Sequence, residues 1–305
     1  MAGSQDYAPD PRNEHVLVWL NGDLVPRPQA KVSIFDAGFA LGDGVWEGLR
    51  LHKGGLLFLE AHLDRLYGGA SEIRLDIGLD RAQIVRALAT TLAANGMTDG
   101  VHVRLMVTRG LKATVNQDPR TALGPATIAI VAEHKTPPAL RPLRLATASV
   151  RCAPADAFDM RLNSHSRLNL IRALLEAIEA GADEALMLDQ RGFVSSCNAT
   201  NLFFVRGGEV STSTGEHCFN GVTRANIIAL RRGEGTPIAQ RDFTLDEAWV
   251  ADEAFVTGTL GGITPVSAID GRAMRAAPGP VTLRLADLYE ALKDADAAAH
   301  PLPLP

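Results

Sequence analysis

The side chains best suited to chemistry crowd into RLNSHSRLN, Arg161 to Asn169. His165, between Ser164 and Ser166, is a group able to act as acid or base near neutral pH. A histidine bonded to local backbone at a helix entry is the plainer use of the same residue. Asn163 donates and accepts hydrogen bonds through its amide but is no nucleophilic amine. A second pair, Ser196 and Cys197, sets a hydroxyl beside a thiol. Cys197 reads either as a nucleophile or, like many free cysteines, as a structural thiol. Lysine is scarce: Lys31, Lys53, Lys112, Lys135 and Lys293 are the five in the chain, and RLNSHSRLN holds none of them.

These residues need elements to hold them. VLVWLNG followed by DLVPRPQAKVSIFD reads as a hairpin turning at Asn21-Gly22. Leu63, Leu66, Ala70 and Ile73 keep helical spacing, as do Ile84, Val85, Leu88 and Leu92 before Gly96. VHVRLMVTRG alternates, with Val101, Val103, Leu105 and Val107 on one face, as a half-buried strand does. TALGPATIAIVAE is a further strand. From Leu168 the apolar positions Ile171, Leu175 and Ile178 continue a helix that Gly181 stops. EALMLD, GFVSS and NLFFVRGGEVSTS read as strands with a turn at Gly207-Gly208, and Thr244 with Glu247 forms a capping box.

The prolines of HKTPPALRPL mark a domain boundary. The expected division is a flexible tail at 1–14, a small α/β domain at 15–135, a linker at 136–143, a larger domain at 144–292 and a C-terminal tail at 293–305.

Composition narrows the partners. The chain has 305 residues, 46% hydrophobic and 21% charged, with net charge −5. Without a basic cluster, nucleic acid is not expected. The polar N-terminus does not read as a signal peptide, and no apolar run approaches the roughly 20 residues that span a bilayer. The three cysteines, Cys152, Cys197 and Cys218, lack CxxC spacing, so a reducing, cytoplasmic setting is expected and no metal site is.

Several motifs in order carry a resemblance: VSIFDAGFALGDGVWEGLR, LEAHLDRL, VRLMVTRG, GADEALMLDQRGFVSSCNATNLFFVR, NGVTRANII and ADEAFVTGTLGGITPVSAIDG. Together they resemble the class IV aminotransferases, the fold type IV pyridoxal phosphate (PLP) enzymes. That group includes branched-chain and D-amino acid aminotransferases and aminodeoxychorismate lyases. The likeness runs from about Val16 to Leu292. It implies an α/β, more fully α+β, two-domain fold, with the cofactor between domains and a homodimer.

The resemblance assigns roles. Arg65, in HLDRL, matches the arginine that grips the cofactor phosphate through a guanidinium fork. Gly221, Val222 and Thr223 match a helix start whose N–H groups receive that phosphate. Thr257, Gly258, Thr259 and Leu260 match the second phosphate turn. Trp46 falls at a pocket position, and Arg104 and Arg109 lie on a strand whose arginines meet substrate carboxylates.

Two positions depart from the pattern. Asn163 stands at the Schiff-base lysine in the ungapped alignment, and Ser196 at the glutamate that protonates the pyridine nitrogen. The expected protein is therefore an atypical homologue acting on a small carboxylate or amino-acid-related substrate without a covalent lysine link. PLP or pyridoxamine phosphate would be bound non-covalently, or not at all. An orthodox aminotransferase of branched-chain or D-amino acids, a related lyase, and a catalytically dead ligand-binding homologue are the alternatives.

Overall fold

The structure is a computed structural model that describes residues 8–137 and 141–302. Its chain divides into two compact units. The first holds Ala8–Thr136, Leu162–Arg167 and the residues from Lys293 onward; the second holds Pro137–Arg161 and Leu168–Leu292. The division is thus no single cut near 136–143. Residues 1–7, 138–140 and 303–305, parts of the expected tails and linker, lie outside the described residues.

In the first unit, β1 (Leu17–Leu20) and β2 (Asp23–Pro26) form the hairpin. Asn21 and Gly22 both take positive φ, 52° and 108°, the conformation a two-residue turn needs to match strand twist. Then come α1 (Ala37–Leu41), β3 (Gly44–His52), β4 (Gly55–Leu56), α2 (Leu59–Glu72), α3 (Arg81–Ala94), β5 (Val101–Thr108) and β6 (Thr127–His134). The strands pair in the order β2-β1-β6-β5-β3-β4. Val101, Val103, Leu105 and Val107 are buried, as their alternation requires. Leu63, Leu66 and Ala70 of α2 and Ile84, Leu88 and Leu92 of α3 join the same core. Each such leucine contributes about 1.5–3 kcal/mol on burial. A capping box between Asp80 and Gln83 starts α3, and Gly96 follows its end at φ +62°.

The second unit runs β7 (Leu143–Thr147), α4 (Leu168–Glu179), β8 (Glu184–Leu188), β9 (Val194–Cys197), β10 (Asn201–Arg206) and β11 (Glu209–Thr212). It continues with α5 (Val222–Gly233), β12 (Ala239–Gln240), α6 (Leu245–Trp249), β13 (Glu253–Gly258), β14 (Gly262–Ile269), β15 (Arg272–Ala273) and α7 (Pro280–Ala299). The sheet order is β12-β11-β10-β13-β14-β7-β8-β9, with β15 on β14. Phe203 and Phe255, opposite each other on β10 and β13, stack with centroids 5.0 Å apart. Thr244 and Glu247 form the expected capping box of α6.

Three features differ from the reading of the sequence. Within the expected N-terminal tail, Pro11–Asn13 is a 3-10 turn capped by Asp10. Asn13 is buried there and exchanges hydrogen bonds with the backbone of His134. The expected C-terminal tail begins inside α7, where Asp296 accepts from Phe58 N at 2.7 Å and Ala297 is buried. On α4 the small residues Ala173 and Ala177 face the core while Leu168, Ile171, Leu175 and Ile178 stay exposed. Periodicity finds a helix stripe; it does not say which stripe packs.

Candidate functional site

Leu162–Arg167 runs beside β3, joined to it by a single isolated bridge between Ser164 and Val45. Trp46 N donates to Asn163 O at 2.9 Å, His165 N donates to Gly44 O at 3.0 Å, and Val45 bridges Ser164. This backbone pairing buries Asn163. Its Nδ2 donates to Trp46 O and lies 3.5 Å from Glu47 Oε1, while its Oδ1 accepts from Arg167. Trp46 Nε1 donates to Ser164 O at 3.0 Å, which fixes the indole against the same segment.

Glu47, next along β3, is fully buried and carries the densest polar contacts nearby. Arg65 donates to both carboxylate oxygens, Nε to Oε1 and Nη2 to Oε2, each at 2.7 Å. His62 Nδ1 lies 2.7 Å from Oε2. Burial alone would raise the Glu47 carboxyl, but hydrogen bonds from Arg65 and His62 outweigh it and hold the group below the usual carboxylate value. Burial lowers His62 in turn, against the pull of Glu47. Arg65, assigned to phosphate by resemblance, therefore commits two donors to a carboxylate of its own unit.

The indole of Trp46 gathers cations. The Arg104 guanidinium stands 3.7 Å from its ring centroid and that of Arg167 5.2 Å. Gly48 opposes Arg104 in the β3–β5 register, and a Cβ there would crowd the His102 ring at 3.2 Å. Arg104 forms no ion pair or hydrogen bond among the described residues. Burial, with Arg104 and Arg65 nearby, brings Arg167 down to about 10, so it remains charged at neutral pH. Arg109 is not brought to this group by its contacts. It grips Asp43 through Nε (2.6 Å) and Nη2 (3.0 Å) and the carbonyls of Ile73 and Arg74, a clasp between loops.

His165 sits within the field of the same arginines. Burial, then the charge of Arg104, push its imidazole below the usual value; a backbone hydrogen bond at Val45 opposes them. It is neutral at pH 7, and its Nε2 is buried with no hydrogen-bond partner, as is Ser164 Oγ.

The second unit holds the remaining predicted residues. Ser196 Oγ donates to Thr200 O at 2.7 Å and accepts from Asn201 Nδ2 at 3.2 Å. No carboxylate stands at position 196. Cys197 is buried, and burial pushes its thiol well above the ordinary value, which leaves no thiolate to act as nucleophile. The N-cap of α5, Gly221, gives the helix no side-chain cap and donates its own N–H to Asn201 Oδ1 at 3.2 Å, so the first N–H groups of α5 have no side-chain cap, as an anion site would need. A Cβ on Gly221 would meet Asn201 Oδ1 at 2.6 Å, so a larger residue there would have to displace the Asn201 amide. Thr223 Oγ1 lies 3.3 Å from Tyr289 OH. Thr257 Oγ1, on the strand α5 packs against, is buried without a partner. Gly258, Thr259 and Leu260 form the partly buried turn from β13 to β14. An uncapped helix start with a buried idle hydroxyl fits a phosphate; separately, the Asn163 amide is no nucleophilic amine, and the Ser196 hydroxyl carries no charge to hold a pyridine nitrogen protonated. Among the described residues, no group of three or more His, Cys, Asp or Glu is placed to hold a metal.

Glu47 and Arg167 are the members of this site that motif reasoning passed over. The signal for Glu47 was a single acid inside the otherwise apolar strand VWEGLRL. Arg167 had the weaker signal of a cation four residues, one helical turn, beyond Asn163.

Comparison with known proteins defines the class. Residues 44–269 match the amino-transferase class IV family. The chain belongs to that family. It is 39% identical over 296 residues to "Branched-chain-amino-acid aminotransferase-like protein 2" of Arabidopsis thaliana, covering 96% of this chain and 53% of the relative. The chain thus spans about half the length of that plant protein. It is 31% identical to a branched-chain-amino-acid aminotransferase of Pseudomonas aeruginosa, covering 93% and 95% of the two chains. The structure of a T.th. branched-chain amino acid aminotransferase with pyridoxamine 5'-phosphate superposes with TM-score 0.85 at 32% identity, covering 92% of this chain and 95% of that one. The mixed α/β, fold type IV architecture follows from this likeness.

Proposed function

We propose that the protein is an atypical class IV homologue that binds PLP or pyridoxamine phosphate without a covalent lysine link and acts on a small carboxylate or amino-acid-related substrate. The observation that carries this reading is Asn163, whose amide is fully engaged between Trp46 and Arg167 where the aligned family lysine would stand. Two of the five lysines are occupied: Lys112 Nζ donates to Asp118 O and Lys53 Nζ to Asp294, both at 2.8 Å. In the second unit the candidate phosphate ligands are the α5 N-terminus at Gly221, Val222 and Thr223 and the Thr257–Leu260 turn; Arg65, in the first unit, is given to the phosphate by the family pattern alone and here commits two donors to Glu47. When bound, the cofactor supplies an electron-accepting ring; Ser196, uncharged, leaves that ring less activated than a carboxylate would. Neutral His165, with an idle nitrogen, is the group placed to hold or pass a proton.

The exposed apolar stripe of α4 supports a homodimer, with a second copy covering Leu168, Ile171, Leu175 and Ile178. Three free cysteines support a cytoplasmic setting. Among the described residues, no helix is long and apolar enough to cross a membrane.

The test is to add PLP, reduce with borohydride and map modified peptides, alongside thermal unfolding. The expected result is a raised midpoint with no lysine-linked adduct. A specific adduct on any lysine would overturn the proposal and support the orthodox transamination that the relatives' names suggest. No midpoint shift at all would point to a scaffold that has lost the cofactor.

A further inference from the structure

Helix α2 starts badly by its own sequence. Its N-cap, Phe58, takes the left-handed conformation at φ 54° and supplies no side-chain cap. Lys53, in the turn between β3 and β4, also has positive φ, 47°. Such backbone persists only where its surroundings hold it. Part of that hold comes from far along the chain, from residues after Lys293 that belong to the first unit. Asp296 Oδ2 accepts from Phe58 N at 2.7 Å, which sets a carboxylate at the positive end of α2. Asp294 lies 2.7 Å from His52 Nε2 and accepts from Lys53 Nζ at 2.8 Å. Leu302 N donates to Gly54 O at 3.0 Å, and Pro301 bridges Gly55. A Cβ on Gly55 would meet Ala297 Cα at 2.8 Å, so this stretch lies directly against β4.

We propose that residues 293–302 form a releasable strap, and that Asp296 is a positioning residue that sets the start of α2 and, through that helix, the Glu47 cluster. This goes beyond the cofactor reading above and does not depend on it. The coupling is short. His62 N donates to Phe58 O at 3.2 Å in the first turn of α2, so a shift of Phe58 reaches His62 directly. His62 and, a turn further on, Arg65 both meet Glu47 at 2.7 Å. The strap is releasable because Ala297 and Leu302 are its buried apolar anchors, while the Asp294 pairs lie at the surface, where ion pairs are weak and screened by salt. Segments with few buried apolar contacts open at low cost. The Lys53 ammonium and then His52 hold the Asp294 carboxyl down at about 2, so salt rather than mild acid is the lever on that pair.

The test is hydrogen–deuterium exchange of the full chain without added cofactor, read by mass spectrometry, with NMR titration of the histidines. Asp296→Ala should raise exchange in residues 55–66 by about tenfold, the effect of losing one charge-assisted hydrogen bond, and leave α3 and β5 within about twofold. Asp296→Asn, which keeps an acceptor, should recover part of the protection. Asp294→Asn, or about 1 M salt on the wild type, should raise exchange in the same residues by a smaller factor. In Asp296→Ala the His62 imidazole, which burial holds below its ordinary value, should titrate nearer 6.5, a change that a merely structural contact at the helix end would not produce. Unchanged exchange in residues 55–66 of a folded Asp296→Ala overturns the proposal, as does a rise spread evenly over α3 and β5. An unmoved His62 titration in that variant overturns the positioning role. If Asp296→Ala fails to fold, Asp294→Asn decides, and wild-type exchange there overturns the strap. A lysine adduct after borohydride would overturn the cofactor reading yet leave these measurements, which contain no cofactor, unaffected.

Discussion

Arg167 donates to Oδ1 of Asn163, and the Nδ2 of that amide donates in turn to the backbone of Trp46, the residue whose ring Arg167 overlies. The amide joins a cation to a strand, and its two ends cannot be exchanged for an ammonium.

Asn163→Lys should therefore destabilise the protein. It removes the acceptor of Arg167 and places a second cation beside it, for a loss of about 1–3 kcal/mol. Urea unfolding measures this, and the loss should shrink when Arg167→Ser is added. A neutral Asn163→Lys would show that the amide–guanidinium pair does not hold this segment.

Glu47→Gln should cost more, about 3–5 kcal/mol, because it leaves the partly buried Arg65 facing an uncharged, fully buried amide. The pH dependence has a definite sign. A carboxyl lowered on folding contributes stability that is complete above its ordinary value near 4.5 and is lost as pH falls through its folded value. Wild type and variant should converge in acid; a constant gap from pH 7 to below 4 would contradict the ion pair.

His102 sets a second pH response. Burial, then Arg104 and Lys135, push its imidazole from 6.5 down to about 3. As pH falls below 6.5 the unfolded chain takes up the proton first, so stability is full above that point and declines toward about 3. His62 and His165, also lowered, act in the same direction. The melting midpoint should fall between pH 6.5 and 4, less steeply in His102→Gln. An unchanged slope would remove His102 from the account.

Thr257→Val separates binding from folding. Removing a buried hydroxyl without a partner should be neutral or slightly stabilising in the ligand-free protein. The same change should weaken the PLP-induced rise in melting midpoint. Equal shifts in both proteins would take Thr257 out of the phosphate site.

The α4 stripe makes a prediction about assembly. The wild type should be a dimer by light scattering, and Ile171→Lys with Leu175→Lys should yield a folded monomer. Side chains 52% and 53% exposed tolerate charge in the isolated fold but not under a second copy. A wild-type monomer would dispose of the dimer proposal.

Strand alternation, helix spacing, Asn21-Gly22 and the Thr244 cap could be read in the sequence because each rests on neighbours a few residues apart. Family motifs added the fold class, and that RLNSHSRLN contains no lysine needed only the chain itself. Other features depend on groups far apart in sequence. Nothing local says that Arg109 would close on Asp43, or that the alanines of α4 would take the buried side. Nor could spacing show Arg65 meeting Glu47, or Arg104 and Arg167, 63 residues apart by their numbering, sharing one indole. Hydrophobic period and turn chemistry are local, so the sequence determined the elements and the absence of the amine. The partners of buried charges are chosen by which strands lie side by side, so the tertiary structure alone decided that Asn163 would serve a guanidinium.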